Sequence, residues 1–381
     1  MIKRGLYIFL FISPVFTQNP IDVLRPFWGF ENSQILSNSI GGATVASGYI
    51  TPGLTSNPAN LAAIRFSYIQ LNFSNSQFTS TTSNISNSGF NGIDFVQPIP
   101  VYRGSLVLSA GAHKSIDFMS ASSDNIYQYS EKGKITSYHL GAALEFAKRF
   151  YIGVDLKLLR GKNEMIEYGD EITHYYKPEF SGSEFTLGLM HVITKNFQYG
   201  ISFDLPKNIT IEDYYTESHT FNQDESWSGI WNYNARKPIT AHIGGAMITK
   251  VFNLFYEFEY TDWSNLEFSS DSYQLQDILD INNEIKNEFS STFNHHIGGA
   301  MRLPMIPVHL FAGYQYLQTP FEEGPFNNDL RESYSAGFSI ALKKNVTLQG
   351  SYDTYYWKFN DLPESYDKFS IGLSLHDIPG L

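Results

Sequence analysis

The sequence contains no cysteine. This absence excludes disulfide frameworks, thiolate metal sites and cysteine nucleophiles. Beyond its first residues the chain also lacks any run of about 18 apolar residues, so no transmembrane helix is expected. Positive charge is scarce, because 26 Lys and Arg stand against 38 Asp and Glu, which gives a net charge of -12. A nucleic-acid partner is therefore not expected, since phosphates require a basic surface.

Motifs of catalysis are missing as well. The chain shows no zinc-peptidase helix, phosphate-binding loop or nucleophile elbow. His295 and His296 are adjacent, and neighbouring residues of a strand point to opposite faces, so these two cannot ligate one ion. We expect a protein that is not an enzyme, with no catalytic residues, no cofactor and no metal.

The first residues have the features of an export signal. Lys3 and Arg4 precede a short apolar stretch from Leu6 to Ile12. We interpret residues 1–17 as a signal peptide. The alternative is a short core segment at the N-terminus.

A series of segments with alternating apolar and polar residues runs along most of the chain. In one of them Ile152, Val154 and Leu156 share one side, while Gly153 and Asp155 share the other. A period of two residues places such sets on the two faces of a sheet, and segments of about ten residues can cross a bilayer at a tilt. The pattern predicts an all-β fold, a transmembrane antiparallel β-barrel of about 14 strands, with a soluble β-sandwich as the alternative. The predicted strands cover 66–74, 89–97, 104–113, 134–146, 150–161, 182–193, 196–205, 239–249, 252–261, 293–303, 307–318, 332–342, 345–357 and 367–376.

The connections between these segments alternate between short and long. Tight turns are predicted at 147–149, 194–195, 250–251 and 343–344. Bacterial barrels keep short turns in the periplasm and long loops outside, so both ends of the barrel domain, residues 66–381, are expected in the periplasm. The predicted long loops cover 114–133, 162–181, 206–238, 262–292 and 319–331.

Residues 18–65 do not alternate and are rich in Gly, Ala, Ser and Asn. Small residues allow close packing in a crowded space, and an Asn-Pro step favours a turn. The composition predicts a compact periplasmic plug, or hatch, that enters the barrel. A disordered leader is the alternative.

The same segment carries a resemblance to a known family. A glycine pair at 41–42, followed by an Asn-Pro-Ala motif at 57–59 just before the first strand, resembles the hatch of the long-chain fatty acid transporter family of outer-membrane proteins, the FadL/TodX type (OMPP1 family). A Trp-Ser pair at 263–264 near the end of a strand is also similar to that family. The hatch and gating residues that the resemblance implies are Gly41, Gly42, Asn57, Pro58 and Ala59.

The resemblance implies a function. We expect a channel in the bacterial outer membrane for diffusion-driven uptake of small hydrophobic molecules, such as long-chain fatty acids. Solute would dock on the outer loops, enter an apolar pocket and leave when the hatch shifts, through the lumen or sideways through the wall. The alternative is a PorV-like barrel that carries proteins in type IX secretion. Expected partners are outer-membrane lipids, lipopolysaccharide and a small hydrophobic ligand, with the barrel as a monomer.

Two further sets of residues follow from the patterns. Charged residues on the polar side of the strands predict a polar network in the lumen, and an amphipathic stretch within 271–289 predicts an outer helix that forms a wall of a hydrophobic groove. The network comprises Asp155, Lys157, His242, Glu257, Glu259, His296, Arg302 and Asp353. The groove comprises Leu275, Ile278, Leu279, Trp227 and Trp231.

Overall fold

The computed structural model describes residues 19–31, 34–48, 56–123, 127–169, 172–219, 226–321, 330–359 and 362–377. The predicted signal peptide, residues 1–17, lies outside the described residues. The helices are α1 (Pro20–Leu24), α2 (Ile35–Ser39) and α3 (Leu275–Glu288), with 3-10 helices at Arg25–Phe27, Pro58–Ala63 and Trp263–Asn265. The strands are β1 (Phe30–Glu31), β2 (Tyr68–Thr79), β3 (Asn84–Ile99), β4 (Leu106–Ser123), β5 (Gln128–Ala147), β6 (Phe150–Tyr168), β7 (Ile172–Val192), β8 (Phe197–Asp204), β9 (Lys207–His219), β10 (Trp227–Lys237), β11 (Thr240–Ile248), β12 (Phe252–Asp262), β13 (Glu267–Ser269), β14 (Ser291–Arg302), β15 (Val308–Leu317), β16 (Arg331–Lys343), β17 (Val346–Phe359) and β18 (Leu362–His376).

The strands after β1 form one closed antiparallel barrel. Each strand pairs with its neighbours in sequence, and β18 closes the sheet by pairing with β2. Two wall strands are each built from two parts, because β7 pairs with both β8 and β9, and β10 and β11 continue one another in the same way. With β13 as an extension of β12, the wall has 14 strands, and the predicted fold is confirmed.

An apolar belt covers the outside of the barrel. In β6, Ile152, Val154, Leu156 and Leu158 are all exposed, whereas the alternating Asp155 is buried in the lumen. A closed sheet that satisfies all its backbone groups and presents an apolar outer face is suited to lipid, so the barrel is of the membrane-spanning type. Among the described residues, no helix is both long and apolar enough to cross a membrane.

Three of the predicted long loops are wrong. The segments predicted as loops at 114–133, 162–181 and 206–238 consist mostly of strand, because β4 to β10 continue well past the apolar belt. On these extensions the polarity of the two faces is reversed: Ile209 and Ile211 face the lumen, and Thr210 and Glu212 face outward. The outward apolar face of each of these strands therefore ends before the strand itself does. The predicted helix within 271–289 is present as α3.

The described parts of residues 18–65 lie inside the barrel. The helix α1 packs beside α3 at the long-loop end, and β1 pairs with β4 in the wall. The helix α2 contacts β15 to β18, and the 3-10 helix Pro58–Ala63 contacts β4 to β7 near their short-turn ends. These described parts thus lie between the outer end of the lumen and the inner end.

Candidate functional site

A large apolar cluster fills the outer part of the lumen. Strand residues contribute lumen-facing side chains such as Phe180 and Ile211, and α3 covers them with Ile281 and Ile285. The buried members of this outer apolar cluster are Val23, Leu24, Ile116, Phe118, Ile135, Leu159, Phe180, Ile209, Ile211, Tyr233, Ala235, Trp263, Leu266, Phe268, Ile281, Ile285, Phe289 and Phe321. An apolar interior is unusual for a membrane barrel, whose lumen is normally polar.

The N-terminal segment contributes two residues to this cluster. Val23 and Leu24 of α1 are completely or almost completely buried in it. Nearby, the Arg331 guanidinium lies 4.0 Å from the centre of the Trp28 ring and 5.4 Å from that of Phe30, at cation–π distance. These contacts hold the beginning of the segment at the outer end of the lumen.

One acidic side chain close to the N-terminal segment is poorly solvated because it is buried. Asp213 lies on β9 beyond the apolar belt and is 5% exposed. Burial raises the pKa of its carboxyl to about 7, a rise that Arg25 opposes and Asp22 supports. The carboxyl of Asp213 is therefore poorly solvated and interacts with two charged residues of the N-terminal segment, Asp22 and Arg25.

Glu257 of β12 anchors the inner part of the N-terminal segment. Its Oε2 accepts hydrogen bonds from Thr44 N at 2.7 Å, Val45 N at 2.7 Å and Ser56 Oγ at 3.1 Å. Its Oε1 lies 2.9 Å from His242 Nδ1, so both carboxylate oxygens are engaged. Two backbone N–H groups directed at one buried carboxylate form a strong, specific attachment.

The predicted lumen network is divided into separate groups. His242, Glu257, Glu259 and His296 do come together, because Glu259 Oε2 lies 3.8 Å from His242 Nδ1 and 3.7 Å from His296 Nε2. His296 Nδ1 also lies 3.0 Å from Gly41 O of the N-terminal segment. We call these four residues the inner polar cluster.

The remaining predicted network residues lie elsewhere in the barrel. Lys157 Nζ lies 2.5 Å from Glu184 Oε1, and Asp353 Oδ2 accepts from Asn38 Nδ2 at 3.5 Å. Asp155 lies 3.6 Å from a histidine of β5, and Arg302 is exposed at the inner end of β14. The structure therefore does not assemble the eight residues into one network.

The predicted gating residues contact the barrel wall. Asn57 Nδ2 donates to Val45 O at 2.8 Å and to Leu189 O of β7 at 2.9 Å, and its Oδ1 accepts from Ala59 N at 3.0 Å. Asn57 thereby caps the 3-10 helix and joins it to the wall. The contact depends on a glycine, since a Cβ at Gly188 would lie 2.0 Å from Asn57 Oδ1.

The glycine pair of the segment also lies against the wall. Gly41 and Gly42 have positive φ angles of 61° and 71°, which suit glycine. Gly41 N donates to Ser335 Oγ at 3.1 Å, and a Cβ at Gly41 would meet the backbone of Tyr314. The pair thus forms a tight turn, and the wall leaves no room for a side chain at Gly41.

The residues of the predicted outer groove are not assembled. Ile278 packs on the outer apolar cluster, but Leu275 and Leu279 are exposed on the opposite side of α3. The rings of Trp227 and Trp231 contact the ring of Tyr215 in tilted arrangements, at ring-centre distances of 5.3 and 5.4 Å. Ile278 therefore faces the lumen, whereas Leu275, Leu279 and Trp227 remain exposed to solvent.

The pairing between β3 and β4 stops part-way along the wall. Their register begins at the inner end and reaches its last pair at Gly92 and His113. Beyond that pair, β3 continues to Asn84 along β2, while β4 continues to Ser123 along β5. The pairing of the described residues therefore leaves an opening between β3 and β4 at the outer edge of the apolar belt.

The outer half of β4 bends into the barrel. A register shift after Lys114 marks the bend, and Asp117 beyond it accepts a hydrogen bond from Tyr366 Oη of the lumen-facing side of β18 at 2.9 Å. The freed edge of β4 pairs with β1 of the N-terminal segment, where Phe30 lies opposite Asp117 and Glu31 opposite Ile116. The segment thus covers the wall opening from inside.

Comparison with known proteins gives a match in structure but not in sequence. No family model matches the chain, and no curated protein matches it either. Among solved structures, the CymD monoaromatic hydrocarbon channel is 14% identical with a TM-score of 0.66, over 91% of this chain and 97% of its own. The Ralstonia pickettii toluene transporter TbuX is 14% identical with a TM-score of 0.67, over 91% and 98%. A Pseudomonas aeruginosa FadL homologue is 13% identical with a TM-score of 0.67, over 92% and 100%.

This chain has the FadL-type fold. The resemblance inferred from the Asn-Pro-Ala motif is therefore confirmed for the architecture. Several important residues of this FadL-type barrel were not predicted from the sequence. Asp94, His113 and His139 meet in the lumen from three strands, and the inward glycines make room for the N-terminal segment. Alternating strands with glycine on the polar side were the available signal for the glycines.

Proposed function

We propose that this barrel is an outer-membrane channel through which small hydrophobic molecules diffuse into the cell. An apolar solute would enter at the long-loop end and take the place of Val23 and Leu24 in the outer apolar cluster. The displaced segment would withdraw β1 from β4 and open the wall. Residues 18–65 act as the hatch in this proposal, with Gly41, Gly42, Asn57, Pro58 and Ala59 at its contacts with the wall.

The observation that carries the proposal is the position of the outer apolar cluster. It fills the lumen of a membrane barrel, and two of its residues, Ile116 and Phe118, belong to the bent half of β4 beside the wall opening. Apolar surface inside the lumen provides binding energy for an apolar solute, about 25 cal/mol per Å² removed from water. A solute leaving there would reach the edge of the membrane without crossing the inner polar cluster.

The similarity to hydrocarbon and toluene channels favours small apolar solutes. It also favours transport over the alternative, a PorV-like carrier in type IX secretion. A carrier needs a protein-binding surface at the long-loop end, whereas here the outer apolar cluster, with Ile281 and Ile285 of α3, is buried in the lumen. We further propose that one chain is the functional unit, because each barrel encloses a complete path.

Uptake in cells tests the function. We expect cells that produce the barrel to accumulate labelled toluene or labelled oleate faster than cells without it. If cells with and without the barrel took up each of the two solutes at the same rate, the proposal would be contradicted. A stoichiometric protein partner found by native mass spectrometry, with no apolar ligand retained, would favour the carrier.

A reversible cross-link tests the route. Because the chain has no cysteine, the pair Glu31→Cys and Ile116→Cys gives a single disulfide between β1 and β4. We expect uptake to stop in the oxidised variant and to return on reduction. A pair in the wall, Thr347→Cys and Ser374→Cys, is the control, and its oxidation should have no effect. Normal uptake through oxidised Glu31→Cys/Ile116→Cys would show that the wall opening is not the route.

A further inference from the structure

A compact group of potential metal ligands lies at the inner margin of the wall opening. Asp94 of β3 and His139 of β5 stand on either side of Gly111 in β4, because Gly111 is the residue paired with both. A Cβ at Gly111 would lie 2.5 Å from His139 Nε2 and 2.7 Å from Asp94 Oδ1. The glycine therefore allows side chains of two strands that are not neighbours to meet.

The geometry suits one divalent cation. His139 Nε2 lies 3.0 Å from Asp94 Oδ1, and His113 completes a group whose ligand atoms all lie within 4.8 Å of one another. The rings of His113 and His139 are inclined by 60° and are not stacked. Two imidazoles and a carboxylate are ligands that zinc and similar transition metals prefer, and such sites commonly leave one position open.

Buried polar atoms around the group are short of partners. Within the described residues, Asp94 Oδ2, His113 Nδ1 and Asp155 Oδ2 make no hydrogen bond, whereas His139 Nδ1 and Asp155 Oδ1 face each other at 3.6 Å. Asp94 and Asp155 are each 1% exposed. Buried polar atoms nearly always have a protein, water or ion partner, so this many unsatisfied atoms indicate a missing one.

The charge around the group also favours a cation. Two buried carboxylates face His139, since Asp155 Oδ1 lies 3.6 Å from His139 Nδ1 on the far side of the ring from Asp94. The nearby cation Lys157 is engaged by Glu184. A carboxylate behind a histidine ring is the usual arrangement for a metal-ligating histidine, because it fixes the ring and its tautomer.

We propose that Asp94, His113 and His139 bind one divalent transition-metal ion of the zinc class, with Asp155 positioning His139. The ion would join β3, β4 and β5 at the point where the pairing of β3 and β4 ends, since His113 belongs to the last pair. It would thus fix the inner margin of the wall opening. No local sequence pattern marks this site, because its three ligands come from three different strands.

Metal binding to the purified barrel tests this proposal without any transport assay. After treatment with a chelator, the folded protein is titrated with Zn²⁺ by calorimetry and with Co²⁺ by visible absorption. We expect one ion per chain and a higher melting temperature with Zn²⁺. The absorption spectrum with Co²⁺ should indicate an ion of low coordination number. His113→Ala should weaken binding by at least about tenfold, while the Asp94–His139 contact that holds the strands remains.

His295→Ala is the matched control, because this histidine lies on the outer face beside Tyr256. It should bind Zn²⁺ as the wild type does. Heat-dependent mobility in gel electrophoresis checks that each variant is folded. Absence of saturable Zn²⁺ binding to the folded wild type, or unchanged binding in His113→Ala, would overturn the proposal and leave a histidine held by two carboxylates.

A second, independent feature is a basic patch on the outer face of β5 and β6. Lys132 and Lys134 on β5 lie beside Arg160 and Lys162 on β6, and all four are exposed. They lie just beyond Tyr138, which is half exposed at the end of the apolar belt. We call these four residues the outer basic patch.

Two cations of the patch face each other across neighbouring strands. Lys134 and Lys162 are directly opposed across the two strands, an arrangement that like charges destabilise. Acidic residues border the patch, since Glu164 lies opposite Lys132 and Glu179 of β7 lies opposite Lys162. The ion pair of Lys162 with Glu164, at 3.8 Å, is exposed and contributes little. The concentration of cations is notable in a chain with a net charge of -12.

We infer that the outer basic patch binds the phosphate groups of an outer-leaflet glycolipid of the lipopolysaccharide type. Its position at the edge of the apolar belt places cations at headgroup level while acyl chains contact the belt. The test is native mass spectrometry of the folded barrel with added lipopolysaccharide. We expect bound lipid on the wild type and on the control Lys343→Gln/Lys344→Gln, and a loss in Lys134→Gln/Lys162→Gln. Equal retention by all three proteins, or full displacement by millimolar inorganic phosphate, would overturn the inference.

Discussion

The outer and inner parts of the lumen are held together by different interactions. In the outer part, Val23 and Leu24 of the N-terminal segment pack among apolar side chains. In the inner part, the same segment is attached by hydrogen bonds to Glu257, His296 and backbone groups of the wall. Apolar packing is non-directional and can be exchanged for an apolar solute, whereas buried charged hydrogen bonds cannot. Under the proposed function, solute would replace the outer contacts while the inner contacts keep the barrier closed.

The largest effect is expected from the inner part. Glu257→Gln keeps the size of the side chain but removes the charge that two backbone N–H groups share. The substitution should weaken the attachment of the N-terminal segment to the wall by about 3 kcal/mol, because buried donors remain without a charged acceptor. We expect a marked rise in leakage of small polar solutes through the barrel in planar bilayers.

A control separates this effect from a general loss of charge. Glu267 is exposed on β13, and its side chain contacts Arg236, so Glu267→Gln should leave conductance unchanged. Wild-type conductance in Glu257→Gln would mean that the inner polar cluster does not hold the barrier.

The second prediction concerns the outer part. Ile211→Asn places an amide among apolar side chains and should weaken binding of labelled toluene by about tenfold, measured by equilibrium dialysis. Leu275→Asn on the solvent side of α3 is the comparison, since Leu275 belongs to the groove predicted from sequence but lies away from the outer apolar cluster. A greater loss in Leu275→Asn than in Ile211→Asn would place the binding site on the outside of α3.

A third prediction tests how closely the N-terminal segment fits the wall. Gly188→Ala should displace Asn57, because the added Cβ has no room, at a cost of about 1–3 kcal/mol. We expect faster proteolysis of residues 18–65 in the folded barrel. Gly245→Ala is the matched control, since its Cβ would meet only ordinary contacts with Phe197 at 3.7 Å or more and with Gln198 O at 3.6 Å. Equal proteolysis of both variants would show that Asn57 is not an important attachment.

Much of the barrel could be predicted from the sequence, and the reason is physical. Where lipid contacts the wall, as at Ile152 to Leu158, the outer face must be apolar, and the period of two residues appears directly. Beyond the belt, water contacts the outer face and the N-terminal segment contacts the inner face, so Ile211 and Glu212 exchange the expected sides. The alternation persists there with its meaning reversed.

The candidate site was predicted only in part for a related reason. The side of each strand places Glu257 and His296 in the lumen, but their partners are backbone groups of Thr44, Val45 and Gly41, which no residue pattern specifies. The wall opening depends on a bend at Lys114, which has no distinctive local sequence. Sequence thus gives the face on which a residue lies, while the contacts depend on where the segment docks.

The smallest expected effect is a pH-dependent change in melting temperature that arises from Asp213. The pKa of Asp213 is about 7 in the folded protein, above its ordinary value of 3.8, so the folded state favours the protonated carboxyl. The associated stability is present below the ordinary value, decreases as pH rises, and is lost above pH 7. Asp213→Asn should therefore melt with the wild type near pH 4 and a few degrees higher near pH 8 in detergent. An equal difference at both pH values would mean that the carboxyl is already well solvated, and that α1 does not bury charge when it docks.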